Sequence, residues 1–134
     1  MTQSRGALRS RSELEAIVAR VLDEARSQGA SAAEAAVSMD SGLSVTVRLG
    51  EATALEYHKD QGVGITVYFG QRKGSASSSD LSNASLREAV AAASRIARHT
   101  AEDSFAGLAD AALMATHYPD LDLDHPWEVS AEAA

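Results

Sequence analysis

An α+β fold is predicted, in which an antiparallel β-meander of about five strands packs with two main helices in the order α-β-β-β-β-β-α. Two observations predict it. Segments near both ends carry apolar residues at helical spacing, whereas the segment between them alternates apolar and polar residues. Short breaks separate the alternating runs, and consecutive strands joined by short turns favour antiparallel pairing.

The first helix is predicted to begin at Ser12. Ser12 and Glu15 have the spacing of a capping box, in which each side chain satisfies a backbone amide at a helix start. Apolar residues then recur at intervals of three and four, which marks one buried stripe of a helix. The stripe consists of Leu14, Ile17, Val18, Val21, Leu22 and Ala25. Gly29 is the expected stop.

Five alternating runs follow the helix. The predicted strands are 35–39, 43–49, 53–57 and 63–69, with a serine-rich fifth strand at 75–79. Turns are expected at Ser41 and Gly42, at Gly50 and Glu51, at 60–62 and across 70–74, where glycine and polar residues interrupt the alternation. One face of this meander is apolar, so the first helix is expected to cover it.

A second helix is predicted over 81–100, capped by Ser82 or Ser85. Its expected buried stripe consists of Leu86, Val90, Ala93, Ile96 and Ala97. Short helical turns are expected between 105 and 114. The resulting organisation is a disordered leader at 1–11, one α+β domain at 12–118, and a linker at 119–134 that leads into the start of a further segment.

Charge and composition exclude several functional classes. The net charge is −7 and the twelve basic residues are scattered, which argues against a nucleic-acid partner. The absence of cysteine excludes disulfides, thiolate metal sites and a cysteine nucleophile. No apolar run of about 18 residues is present, and the first residues lack a signal-peptide core, so a cytoplasmic protein without a membrane partner is expected.

The histidines and aspartates do not form a known metal motif. His58, His99, His117 and His125 are dispersed, and no H-E-x-x-H is present. Asp120, Asp122 and Asp124 resemble the opening of a calcium loop. His125 and Ala131 occupy the places where that loop requires glycine and glutamate, so a solvated linker is predicted.

The glycines also fall short of a phosphate-binding motif. Gly62 and Gly64 begin like a dinucleotide fingerprint, but Val67 stands where the third glycine belongs. Phosphate binding through Arg72, Lys73 and the serine-rich run remains an alternative to a simple polar hairpin. No catalytic residue and no metal ligand are therefore predicted from the residues themselves.

Three segments resemble the amino-terminal domain of the TldD/PmbA family. They are EYHKDQGVGITVYFGQRKGSASSSDLS at 56–82, IARHTAEDSFAGLAD at 96–110 and PDLDLDHPW at 119–127. The small-residue run at 74–80 is similar to the PmbA (TldE) branch, whose members carry the name modulator of DNA gyrase. The resemblance spans roughly residues 12–134. Family members are longer, so it implies a truncated amino-terminal domain.

The resemblance implies a part in a bacterial TldD/TldE metalloprotease complex that degrades unfolded peptides. In that family an H-E-x-x-x-H motif on the TldD subunit binds the metal, and PmbA-type subunits lack it. No catalytic residue of the family maps onto this chain. The fragment itself is therefore expected to be no enzyme and to hold no cofactor. The implied partners are a TldD-like subunit and an unfolded peptide, with a homo-oligomer as a further assembly.

Peptide or partner contact is predicted at an exposed sheet edge, where an extended peptide can add as a strand. The candidate segments are 63–69, with Val63, Ile65 and Val67, and 75–79, with Ser75 and Ser77. The domain would then form a chamber wall, a subunit interface or a peptide-binding surface. The alternative is a stand-alone protein–protein interaction module with no proteolytic role, whose partner would be unrelated to a metal-bearing subunit.

Overall fold

A computed structural model describes residues 8–123 together with residues 125, 127, 129 and 133. In chain order the elements are helix α1 (Arg11–Ser27), strands β1 (Ala32–Arg48), β2 (Glu51–Phe69) and β3 (Arg72–Ser78), helix α2 (Asn83–His99) and a 3₁₀ turn (Ala111–Leu113). The strands form one antiparallel sheet in the order β1-β2-β3. The α+β class predicted from the sequence is therefore confirmed.

The chain divides into two compact units. The first comprises residues 1–40 and 59–108, and the second comprises 41–58 and 109–134. The first unit contains both helices, β3 and every buried core residue found in the described part of the chain. The second unit contains the tip of the β1–β2 hairpin and the segment that follows residue 108.

The core lies between one face of the sheet and the two helices. It is a cluster of aliphatic side chains from α1, β2 and α2, together with Leu81 just before α2. Its members are Ile17, Val21, Ala25, Val63, Ile65, Val67, Leu81, Leu86, Val90, Ala93 and Ala97. Ile96, predicted in the stripe of α2, is instead 49% exposed, because the helix turns the fully buried Ala93 and Ala97 inward.

The N-cap of helix α1 lies two residues before the predicted cap, Ser12. It is Ser10, whose hydroxyl accepts from the amide of Glu13 while the Glu13 carboxylate accepts from the Ser10 amide. The S-x-x-E spacing occurs twice, and Glu15 of the second copy pairs with Arg11 at 2.7 Å instead. The predicted leader therefore ends before Arg11, and its residues 1–7 lie outside the described part of the chain.

The end of α1 agrees with the prediction. The helix stops at Ser27, Gln28 is its C-cap, and Gly29 follows with a φ of +90°, a conformation that glycine adopts without strain. The second helix is similarly close to the prediction, with Ser82 as the N-cap and His99 as the last residue.

The sheet has three strands where five are predicted. Ser41 and Gly42 do not form a turn, so the first two predicted strands are one continuous β1. Residues 60–62 likewise continue β2 through a predicted break. Glycine permits a turn but does not impose one. Pairing between two long strands satisfies the backbone groups on their shared side, and it overrides the local signal.

The two hairpin turns are tight. Leu49 and Gly50 have φ values of +55° and +84°, which is the signature of a type I′ turn and lies one residue before the predicted position. The second hairpin pairs Phe69 with Arg72, so Gly70 and Gln71 alone form its loop. The predicted break at 70–74 is therefore shorter, because Gly74 belongs to β3.

Beyond α2, regular structure is sparse. Among the described residues after His99, only the 3₁₀ turn is regular, which fits the predicted short turns. The predicted linker at 119–134 is described in part, whereas Asp124 and most of the predicted helix start after residue 129 lie outside the described residues. Neither α1 nor α2 has the length and apolarity to cross a membrane.

One buried polar group in α2 carries a stability prediction. The Ser94 side chain is 2% exposed, and its hydroxyl has no hydrogen-bond partner among the described residues. Burying an unpaired hydroxyl costs free energy, and alanine is also the better helix former. Ser94→Ala is expected to raise the free energy of unfolding by about 1 kcal/mol in urea denaturation. A loss of stability would contradict this and imply that the hydroxyl is paired in solution.

Candidate functional site

Strand β3 is an edge of the sheet and contains two of the predicted contact residues. Ser75 and Ser77 are exposed, and they pair with Thr66 and Gly64 of β2. The Ser75 and Thr66 hydroxyls are hydrogen-bonded to each other at 2.8 Å. The Ser77 hydroxyl has no such partner among the described residues. Among the described residues, no strand pairs with the outer side of β3.

Strand β2 holds the other three predicted contact residues. Val63, Ile65 and Val67 are 3%, 3% and 0% exposed, and they lie in the core cluster. Because β2 is the middle strand, its backbone is flanked by β1 and β3 and offers no free edge. Of the two candidate segments, only 75–79 therefore lies along a sheet edge.

Small residues line part of the sheet face opposite the helices. Two neighbouring open depressions, of about 450 Å³ and about 320 Å³, lie on it. They share Ala36 and Gly64 in their walls, and Ser77 lines the larger one. A Cβ added at Gly64 would meet no atom within 4 Å, so this face is open to the approach of another backbone.

The serine-rich run is fixed to α2 by Asp80. The Asp80 carboxylate accepts from the Ser82 amide at 2.8 Å and from the Ser85 hydroxyl at 2.7 Å. The Ser78 hydroxyl accepts from the Asp80 amide at 3.1 Å. The amide bond to Ser82, followed by the Ser85 hydroxyl bond, lowers the pKa of Asp80 below its ordinary value of 3.8.

This lowered pKa predicts a pH-dependent effect of Asp80→Asn. The folded chain favours the ionised carboxylate, so its contribution is present above about pH 3.8 and is lost as the pH falls through the folded pKa. At neutral pH the variant should therefore unfold at a lower urea concentration than the parent. At about pH 2 the urea midpoints of the variant and the parent should converge, since a protonated carboxyl resembles the amide. A difference independent of pH would contradict the assignment.

The groups considered for metal or phosphate binding are dispersed or already engaged. Among the described residues, no three His, Asp or Glu side chains are grouped as metal ligands. His125 and Asp122 approach to 3.9 Å, and both are exposed. The guanidinium of Arg72 donates to the backbone oxygen of Arg98 and lies 3.6 Å from the Glu102 carboxylate.

The second unit exposes many large apolar side chains. On the hairpin tip, Leu49 is 97% exposed and Tyr57 is 65% exposed. Apolar exposure on this scale marks surfaces that contact other molecules. Within the described residues, the same unit also exposes Val47, Leu55, Leu113, Met114, Tyr118, Leu121, Leu123 and Trp127. Sequence reasoning missed this surface, since it assigned the alternating residues of the hairpin to a covered face.

Comparison with known proteins shows which family this chain resembles. Residues 33–97 match the family model described as PmbA/TldA metallopeptidase domain 1. The chain is 52% identical over 102 residues to the metalloprotease PmbA of Escherichia coli, which covers 76% of this chain and 23% of that protein. It is 46% identical over 122 residues to a metalloprotease PmbA homologue of Haemophilus influenzae, covering 91% of this chain and 27% of the homologue.

A solved structure supports the fold. A proposed modulator of DNA gyrase from Bacteroides thetaiotaomicron superimposes with a TM-score of 0.72 and 24% identity, over 81% of this chain and 24% of that one. The chain spans about a quarter of the length of the curated relatives it matches. By the family model and these identities, the chain belongs to the PmbA/TldD family, and residues 33–97 match the model of the first domain of that family.

Proposed function

We propose that this chain is the non-catalytic amino-terminal domain of a PmbA/TldE-like subunit in a cytoplasmic TldD/TldE metalloprotease complex that degrades unfolded peptides. The observation that carries the proposal is the match of the chain to the first domain of relatives named metalloprotease PmbA. The metal would belong to a TldD-like partner subunit. The domain would contribute to the wall of the peptide chamber, to the subunit interface or to peptide binding.

Within that role, peptide binding is assigned to the outer edge of β3. An edge strand directs alternate N–H and C=O groups away from its own sheet, and an extended peptide can pair with them whatever its sequence. The side chains at Ser75 and Ser77 are exposed and short, so they leave the backbone at these two positions accessible. Recognition through backbone groups suits a substrate that is unfolded and variable in sequence.

The test is Ser77→Pro in the complete assembly that contains this domain. Proline removes an amide donor and places a ring against the approaching strand, so peptide affinity is expected to fall about tenfold. Ser77→Ala, which keeps the amide, is the matched control and should bind peptide like the parent. Fluorescence anisotropy of a labelled unfolded peptide measures the affinity, and thermal melting verifies the fold. Unchanged affinity in a folded Ser77→Pro assembly would refute the assignment.

A second candidate function is a stand-alone interaction module without a proteolytic role. The exposed apolar side chains of the hairpin tip, such as Leu49 and Tyr57, favour it, since they suit a protein partner irrespective of any peptidase. The two functions differ in one measurement. Under the first, leaving this domain out of the assembly abolishes peptide hydrolysis by the metal-bearing subunit. Under the second, hydrolysis is unchanged, and the first proposal would have to be given up.

A further inference from the structure

The outer edge of β1 is the longer of the two edges of the sheet. The strand has 17 residues, against seven for β3, and β2 is its neighbour on one side. Within the described residues, no other strand pairs with its opposite side. Such an edge presents a row of unpaired backbone donors and acceptors, which is a template for pairing with another chain.

This edge is long and carries neither lysine nor proline. Natural edge strands are protected by being short, by lysine or proline, or by bulges. The charged residues of strand β1 are Glu34, Asp40 and Arg48. The strand is therefore suited to pair with a further strand along much of its length.

We infer that β1 pairs antiparallel with β1 of a second copy of this chain, about a two-fold axis at Ser41. Glu34 lies seven residues before Ser41 and Arg48 lies seven after it, so Glu34 of each copy faces Arg48 of the other. Residues that face each other share one side of the sheet. The remaining facing pairs include Ala35 with Val47, Val37 with Val45, Met39 with Leu43, and Ser38 with Ser44.

This register matches apolar with apolar and acid with base. A slip of one residue would place apolar side chains opposite polar ones. A slip that brings Asp40 onto the axis would set the two Asp40 carboxylates directly opposite each other, which is destabilising. With Ser41 on the axis, Asp40 faces Gly42. Each of the two Glu34–Arg48 pairs then joins a negative to a positive side chain.

The charged side chains have room for this contact. The Arg48 side chain has no ion-pair or hydrogen-bond partner among the described residues. Glu34 accepts from the Tyr68 hydroxyl at 3.3 Å through one oxygen, which leaves its other oxygen for a guanidinium. Two symmetric Glu34–Arg48 ion pairs would therefore form, one at each end of the paired strands.

Single cysteines test the register directly, because the native chain has none. In Ser41→Cys the two thiols would face each other at a Cα distance compatible with a disulfide, so mild oxidation should convert most of the protein to a covalent dimer. Ser44→Cys is the matched control on the same strand. Its thiols would lie about 20 Å apart in the inferred register, so it should stay largely uncrosslinked. Crosslinking of Ser44→Cys to the same extent would overturn the register.

Charge exchange provides the second test, by sedimentation velocity over a range of concentrations. Arg48→Glu and Glu34→Arg should each weaken the dimer about tenfold, since each places like charges opposite one another twice. The double variant restores opposite charges and should recover the parent dissociation constant. Failure of the double variant to recover would overturn the inferred pairing. So would a parent chain that stays monomeric while Ser41→Cys fails to crosslink, which would leave this edge to a different partner.

Discussion

Gly74→Ala is expected to lower the free energy of unfolding by about 3 kcal/mol. Gly74 is a buried residue of β3, and α2 packs directly against it. A Cβ at this position would lie 2.5 Å from the backbone nitrogen of Ala97 and would also collide with the backbone oxygen of Ala93. Neither obstacle is a flexible side chain, so the helix itself must move away from the sheet.

Gly64→Ala is the matched control for this substitution. It lies on the neighbouring strand of the same sheet, and an added Cβ there meets nothing within 4 Å. Its effect on urea denaturation should remain within about 0.5 kcal/mol. Equal effects of the two substitutions would show that the cost arises from strand propensity, and the proposed contact between β3 and α2 would be wrong.

The importance of Gly74 could not be read from the sequence. In the alternating pattern it resembles the end of a turn that begins at Gly70. Its place in the strand follows from the pairing of Val67 with Gly74, and its necessity follows from the approach of α2. Both are contacts between elements, and neither leaves a local signal that distinguishes a packing glycine from a turn glycine.

Local signals were sufficient for most features of the helices. The stripe of α1, the stop at Gly29 and the cap at Ser82 follow from spacings within one or two turns. The cap predicted at Ser12 and the burial predicted for Ile96 were wrong. The strands were divided too often because Gly42 and Gly62 were interpreted as turns. In the structure the His58 ring lies across Gly42, where a larger side chain would displace it. The ring of His58 on the neighbouring strand thus explains why glycine occupies position 42, and the sequence does not reveal this contact.

The candidate site was predictable only in part. The alternation at Val63, Ile65 and Val67 indicates a strand with one buried face, but it does not reveal that this strand is the middle one. Ser75 and Ser77 fall on an edge because β3 is the last strand and the chain then enters α2. Edge position depends on the whole strand order, which the alternation within one strand does not reveal.

Arg98→Ala is expected to cost about 2 kcal/mol of unfolding free energy. The Arg98 guanidinium lies 4.8 Å from the centre of the Phe69 ring and donates to the backbone oxygen of Gln28 at 2.8 Å. The last turn of α2 is thereby joined to the end of β2 and to the C-cap of α1, whose carbonyl groups lack partners within their own helix. Urea denaturation measures the loss.

Two further variants separate the contributions of Arg98. Arg95→Ala removes an arginine from the same helix whose side chain has no partner among the described residues, and it should leave stability within about 0.5 kcal/mol of the parent. Arg98→Lys keeps the charge but loses the planar group that covers Phe69 while donating to Gln28, so about half of the loss should persist. If Arg98→Lys behaves like the parent, charge alone stabilises this junction, and the stacked geometry contributes nothing.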